Sequence, residues 1–406
     1  MAKRQQVMRQ EGANIMAEPE PFELPVYLDN NSTTAMDPKV VEAMLPYFTS
    51  HYGNAASSTH DLGRRAKRAV TEATEVIAAA IHAEPDEIVF TSGATESCNL
   101  AIRGICTHRA AKASRILSSP LEHRAVLDPI LRLSKEGFQS GYLKPANLSG
   151  SLDLEELNLV SSSPCDLACL MLANNEIGSL LDIQAVSAIL KQNGVLFYCD
   201  AAQALGKVEI DVQASTVDLM GFSAHKANGP MGIGALYVRR GTRLKSMIEG
   251  GGHQAGRRSG TLNVPGIIGF AKAAELAKGL MDSEIPKIVK QTRRFFEGLR
   301  QMIPGLHLNG PEIEERLPGN LNIRIEGVDA ETLTLKTPSI CVSTGSACSS
   351  AQPEPSHVLR AIGLSESASR ECFRIGLGRF TTDCQIDFAV KAIGESVRSL
   401  RNKEEG

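Results

Sequence analysis

The chain has 406 residues, with 43 Lys and Arg against 46 Asp and Glu for a net charge of −3, and 42% hydrophobic residues. At roughly 150 residues per domain this length implies two or three domains, and ordinary glycine and proline usage excludes collagen-like and disordered classes. The charge balance supplies no basic face for a phosphate backbone, and apolar runs such as 76–81 and 167–173 fall far short of the roughly 20 residues that cross a bilayer, so a soluble chain without nucleic-acid or membrane partners is expected.

In chain order, residues 1–25 mix Arg4 and Arg9 with Glu11, Glu18, Glu20 and Glu23 and lack the apolar stretch of a secretory signal, so they are expected to form a mobile N-terminal extension. From Tyr27 onward, short β-rich runs alternate with segments of helical period, the pattern of an α/β domain with a mostly parallel sheet. Leu62, Ala66, Ala69, Ala73, Val76, Ile77 and Ala80 mark one apolar helix stripe. A strand at 88–90, the turn Thr91-Ser92-Gly93-Ala94-Thr95-Glu96 and a second helix through Leu100 and Ile102 follow. Residues 166–173 read as a buried strand ending at Asn174-Asn175; Asp182 caps a helix that Gly194 stops, and 195–199 form the next strand, delivering Asp200 at its end. That βαβ unit places both polar strand ends on the sheet edge where open α/β folds hold ligands. After about Gly279 the register changes to a long amphipathic helix, then strands such as 321–325, then a C-terminal helix. The expected division is therefore a large domain over 26–280 and a smaller α+β domain over 281–406, completed by residues near 26–36.

Nine cysteines, at 98, 106, 165, 169, 199, 341, 348, 372 and 384, form no CxxC and no regular framework, which fits a reducing, cytoplasmic compartment. Cys98, Cys169, Cys199 and Cys341 read as small buried hydrophobes. Cys165 and Cys169 lie on a strand approach without a partnering His, so no metal is expected.

Three features carry chemistry. The segment 217–226 runs a buried strand into Lys226, followed by Gly229, Gly232 and Gly234; an amine desolvated there has a lowered pKa and suits Schiff-base formation. Asp200 also ends a strand and offers the carboxylate that keeps the ring nitrogen of pyridoxal 5'-phosphate protonated. Gly93, Ala94 and Thr95 at a helix start offer free N–H groups to a phosphate. Together the three describe one cofactor.

The motifs YLDNNSTT (27–34), TSGATES (91–97), EHRAVLD (122–128), ANNEIG (173–178), DAAQALGK (200–207), SAHK (223–226), RSGT (258–261) and STGSACSS (343–350) stand in order. They resemble those of the cysteine desulfurases, and STGSACSS is similar to the serine-rich loop of the class I, NifS/IscS-like branch, within the pyridoxal-phosphate-dependent class V aminotransferases. The resemblance implies a fold-type I enzyme, homodimeric, that converts L-cysteine to L-alanine and hands the sulfur through an enzyme persulfide to an acceptor such as an iron–sulfur scaffold protein. It further implies that Lys226 carries the Schiff base and shuttles the α-proton, Asp200 pairs with the ring nitrogen, Gln203 bonds the ring oxygen, and His123 stacks on the ring as an acid/base group. Thr95, Ser223 and His225 would hold the phosphate with Thr261 of a second subunit, and Asn175 and Arg374 would grip the substrate carboxylate. Asn228, Met231 and Thr344 depart from the family pattern, which bears on fine positioning.

Cys348 would be the sulfur acceptor. It sits in a polar stretch, 343–354, that has little to bury, and even its minor thiolate fraction is strongly nucleophilic. Twelve residues folded back on themselves carry an apex roughly 20 Å. Selenocysteine lyase or another fold-type I enzyme is the nearest alternative. A nucleotide-binding oxidoreductase is disfavoured because the run Gly229–Gly234 opens no helix, and a non-catalytic scaffold is disfavoured by intact Lys226, Asp200 and Cys348.

Overall fold

The computed structural model describes residues 22–109, 115–344 and 355–404. A seven-stranded sheet runs in the order Ile88–Thr91, Gly234–Val238, Leu219–Ser223, Leu196–Asp200, Leu167–Cys169, Arg115–Ser118, Gln139–Tyr142. Gly234–Val238 is antiparallel to both neighbours and every other pairing is parallel. The central strands read as continuous apolar runs because helices cover both faces. Their side chains alternate between two cores: Phe197, Cys199, Met220 and Phe222 pack against the helix Asp61–Ala80 on one face, while Tyr198, Leu219 and Leu236 pack against Ala94–Arg109 on the other.

The βαβ unit forms as the sequence predicts. The side chain of Asp182 accepts from Ala185 N–H at 3.0 Å and caps the helix Ile183–Gln192, and Gly194 leaves it with φ of 70°. The strand expected over 166–173 is shorter, Leu167–Cys169, but the chain stays extended beyond it, with Leu170 N–H and Leu172 N–H donating to the carbonyls of Tyr198 and Asp200. The path to Asn174 is thereby kept straight.

A second sheet of four antiparallel strands runs in the order Ser343–Thr344, Cys372–Gly376, Asn320–Ile325, Leu306–Asn309. Its core includes Leu321, Ile323, Phe373, Ile375 and Ile386. The strand Val26–Tyr27 pairs in parallel with Ile340–Cys341, so Val26 and Leu28 belong to this second core. Phe22 stacks edge-on against Phe388 at 5.4 Å, which attaches the end of the expected N-terminal extension to the same lobe. The change of register after Gly279 is not a break in the backbone: one 39-residue helix, Val264–Met302, runs through it. Ile267, Phe270 and Ala274 pack into the first core and Phe295, Phe296 and Leu299 into the second, so the register shifts because the helix changes partner. Among the described residues no helix is long and apolar enough to cross a membrane.

Candidate active site

The C-terminal ends of the parallel strands open into a cavity of about 610 Å³, where polar residues of both lobes meet. Its walls bring together Asn31 to Thr33, Ser92 to Thr95, His123, Asn175, Asp200, Gln203, Ser223, His225, Lys226 and Arg374. Of the residues singled out in the sequence, Thr261 is exposed and stands outside this cavity. Cys348 lies outside the described residues. Of the four cysteines expected to be buried, Cys98, Cys169 and Cys199 are, whereas Cys341, on the short ladder with Val26–Tyr27, is half-buried.

The strand Leu219–Ser223 leads into a single turn, Ala224–Lys226, that turns the Lys226 amine into the cavity. Its Nζ donates to the carbonyls of Asn31, at 2.7 Å, and Ser32, at 2.5 Å. Burial, and then the charges of Lys207 and Arg374, bring its pKa down to about 7. Lys207 is itself lowered to about 8, first by burial and then by Arg374. His225 is lowered to about 4 by burial and by Lys226, so its ring is neutral at physiological pH; Nδ1 lies 3.0 Å from Thr33 Oγ1.

On the neighbouring strand Leu196–Asp200, Asp200 is 4% exposed and one oxygen accepts from Ala202 N–H at 3.0 Å. Burial raises its pKa, so a cation placed against it from the cavity side would relieve it. His123 caps the helix Arg124–Lys135: its Nδ1 accepts from Ala125 N–H at 3.1 Å, which leaves the proton of a neutral ring on Nε2. Burial lowers its pKa, against the opposing pull of Asp200. Gln203 donates through Nε2 to Asn31 O at 2.8 Å while its Oε1 is buried without a partner.

Gly93 stands at φ of 151°, and a Cβ on Gly234 would fall 2.7 Å from Gly93 Cα, so both glycines are needed for the tight approach of strand and turn. The first intrahelical bond of Ala94–Arg109 is Ser97 N–H to Gly93 O; the N–H groups of Ala94, Thr95 and Glu96 precede it and, with the helix dipole, form an anion seat beside Ser223. On the opposite wall Arg374, from Cys372–Gly376, donates to Asn175 O at 3.1 Å, Asp29 Oδ1 at 2.8 Å and Ser32 Oγ at 2.6 Å, and its Nε is buried without a partner. A buried carboxylate, an amine poised near neutrality and an anion seat together fit a phosphorylated aldehyde with a protonatable ring nitrogen, and the guanidinium fits a second carboxylate.

Several groups were given no role in the sequence reading. Asp29 holds Arg374, and Asn31 accepts from both Lys226 and Gln203. Glu122 is fully buried, accepts from Met171 N–H at 2.7 Å and is pushed well up by burial and by Asp200. Asp29 and Asn31 lie in YLDNNSTT and Glu122 in EHRAVLD, so the motifs flagged the segments but not these contacts. Of the departures from the family pattern, Asn228 takes φ of 58°, a region asparagine tolerates, and donates through Nδ2 to Ala35 O at 2.8 Å.

Such a sheet, with a lysine and an aspartate at the ends of adjacent strands, defines a fold-type I enzyme of the aminotransferase class. The chain belongs to the aminotransferase class-V family, whose family model matches residues 26–388, and within it to the cysteine desulfurases. "Cysteine desulfurase IscS" of Anaeromyxobacter dehalogenans (strain 2CP-C) is 46% identical over 382 residues, covering 94% of each chain. Among solved structures, a "NifS-like protein" matches with TM-score 0.86 and 34% identity, covering 92% of this chain and 100% of its own. "SspA in complex with cysteine" matches with TM-score 0.76 and 32% identity, covering 88% of this chain and 100% of its own.

Proposed function

We propose that this enzyme converts L-cysteine to L-alanine with pyridoxal 5'-phosphate as cofactor, and passes the sulfur through a persulfide on Cys348 to an acceptor protein such as an iron–sulfur scaffold, in the cytoplasm. The observation that carries this reading is the meeting of Lys226 and Asp200 with Arg374 of the second lobe in one cavity. The relative solved with cysteine supports the substrate.

Asp200 would hold the cofactor's ring nitrogen, Gln203 its ring oxygen, and the N–H groups of Ala94 and Thr95 with Gly93, Ser223 and His225 its phosphate, while Lys226 would bind its aldehyde carbon. When bound, the cofactor withdraws electrons from the substrate's α-carbon. Arg374 and Asn175 orient the substrate through its carboxylate, a task suited to a planar fork of N–H donors. Lys226, close to neutrality, takes the α-proton. The Cys348 thiolate then attacks the substrate sulfur: an S–S bond forms as the Cβ–S bond breaks, and the electron pair stays with the carbon skeleton. Lys226 and His123 return protons to that skeleton, which leaves as alanine. Thr261, exposed on its own chain, would complete the phosphate site of a second copy in a homodimer.

C348A is expected to bind the cofactor as the parent does, yet form neither persulfide nor sulfide from L-cysteine, read by mass spectrometry of the 343–354 peptide and by sulfide release. Full desulfuration by C348A would overturn the assignment. Supplying L-selenocysteine or a keto acid in place of cysteine separates the alternative substrates.

A further inference from the structure

Next to Asp200, among residues that do not line the cavity, lies a chain of buried polar atoms that the reaction as described does not use. Cys98, on the helix Ala94–Arg109, is 0% exposed; its Sγ lies 3.0 Å from Tyr198 Oη and 3.9 Å from Asp200 Oδ2. Tyr198 and Asp200 stand two residues apart on one strand, so they face the same way, toward that helix. Gly221, which pairs with Asp200 on the next strand, makes the room: a Cβ there would fall 2.4 Å from Tyr198 Oη. A buried phenol needs an acceptor for its O–H, and the sulfur is the one this geometry offers. With the Tyr198 O–H directed at Sγ, the thiol hydrogen is directed at Asp200. Burial pushes the thiol pKa well up, which keeps the hydrogen on sulfur. Asp200 thus has a backbone donor on one oxygen, from Ala202, and a thiol donor on the other.

We propose that Cys98 is a positioning residue for this enzyme: its thiol, oriented by the Tyr198 hydroxyl, donates to Asp200 and keeps that carboxylate ionised and turned toward the cofactor's ring nitrogen. The inference rests on the reading of Asp200 as the partner of pyridoxal phosphate. A donor to the carboxylate favours its charged form, and removing it takes away one of the contributions, beside Ala202 N–H, His123 and Lys226, that oppose burial. A sulfur donor at this distance is weak, so the effect is modest.

The test is titration of the full-length apoprotein with pyridoxal 5'-phosphate, followed by absorbance, in the parent, C98S, C98A, Y198F and the C98A/Y198F double variant. C98S keeps a donor and is expected within about twofold of the parent. C98A and Y198F are expected to raise Kd about two- to tenfold, the range of one weak hydrogen bond. The double variant is expected to bind no more weakly than C98A, since without the sulfur the tyrosine has nothing to pass on. Thermal unfolding of each apoprotein reads packing loss separately. The inference is overturned if C98A binds like the parent whatever its melting temperature, if C98S binds as poorly as C98A, or if the two single losses add. Failure of the parent apoprotein to take up the cofactor would instead sink the cofactor reading itself.

Discussion

The amine at position 226 is the group on which the proposed chemistry turns, and its surroundings set when it can react. A lysine held near 7 by burial and by Lys207 and Arg374 is largely uncharged slightly above neutrality, whereas a solvated one would be cationic until about pH 10.4. The neutral amine is the form that attacks an aldehyde, so the rate at which apoprotein takes up pyridoxal phosphate is expected to rise with pH through about 7 and then level off. Stopped-flow absorbance across that range checks this, and a rise continuing to pH 10 would place the lysine in water. Arg374 carries a second prediction at the same scale. Its guanidinium already answers Asp29, Ser32 and the Asn175 carbonyl, a set of directions that lysine cannot reproduce. R374K is expected to lower kcat/KM for L-cysteine by about ten- to a hundredfold, mainly through KM if the arginine binds the carboxylate equally in ground and transition states. The placement of Asp200 and Lys226 in the cavity was legible because the first ends an apolar strand and the second closes the short turn after the next one. The Asp29–Arg374 pair was not, since its partners are 345 residues apart and only the closed fold brings them within 2.8 Å.

Elements defined by local signals came through the sequence well, and those defined by partners did not. The helix Ile183–Gln192 has its start and stop written in Asp182 and Gly194, so its existence, cap and flanking strands follow from a few residues. D182A should cost about 1 kcal/mol of stability, read as a lower urea midpoint with an unchanged denaturant slope. The helix Val264–Met302 is the contrary case: its first half is buried among small residues and its second half shows a cleaner apolar stripe, so periodicity alone divides it where the packing partner changes. At the turn between strand and anion seat, Gly234 has almost no slack, with Phe222 O at 2.4 Å and Gly93 Cα at 2.7 Å from a hypothetical Cβ. G234A should therefore weaken cofactor binding by displacing the turn, measurable in the same apoprotein titration, even though Gly234 itself does not line the cavity.

Across the whole molecule, Arg379 joins three parts distant in sequence. It pairs with Asp37, the cap of the helix Pro38–Met44, at 2.9 Å, and with Glu284 of Val264–Met302 at 2.7 Å, and all three side chains are largely shielded from water. Removing one member of such a cluster leaves the others charged and unpaired, so R379A should cost about 3–5 kcal/mol, detected as a loss of global stability in chemical unfolding. The acidic and basic partners are unremarkable in the sequence, where nothing ties residue 37 to 284 or 379; only chain topology does.

That topology also bears on how the polypeptide is made. Val26 and Leu28 belong to the second core, yet the strand that receives Val26 begins at Ile340, 314 residues later. At synthesis speeds of about 5–20 residues per second, this segment leaves the ribosome roughly 15 to 60 s before its partner exists. Through that interval Val26 has no strand to pair with, so this closure of the second lobe waits on the last quarter of the chain.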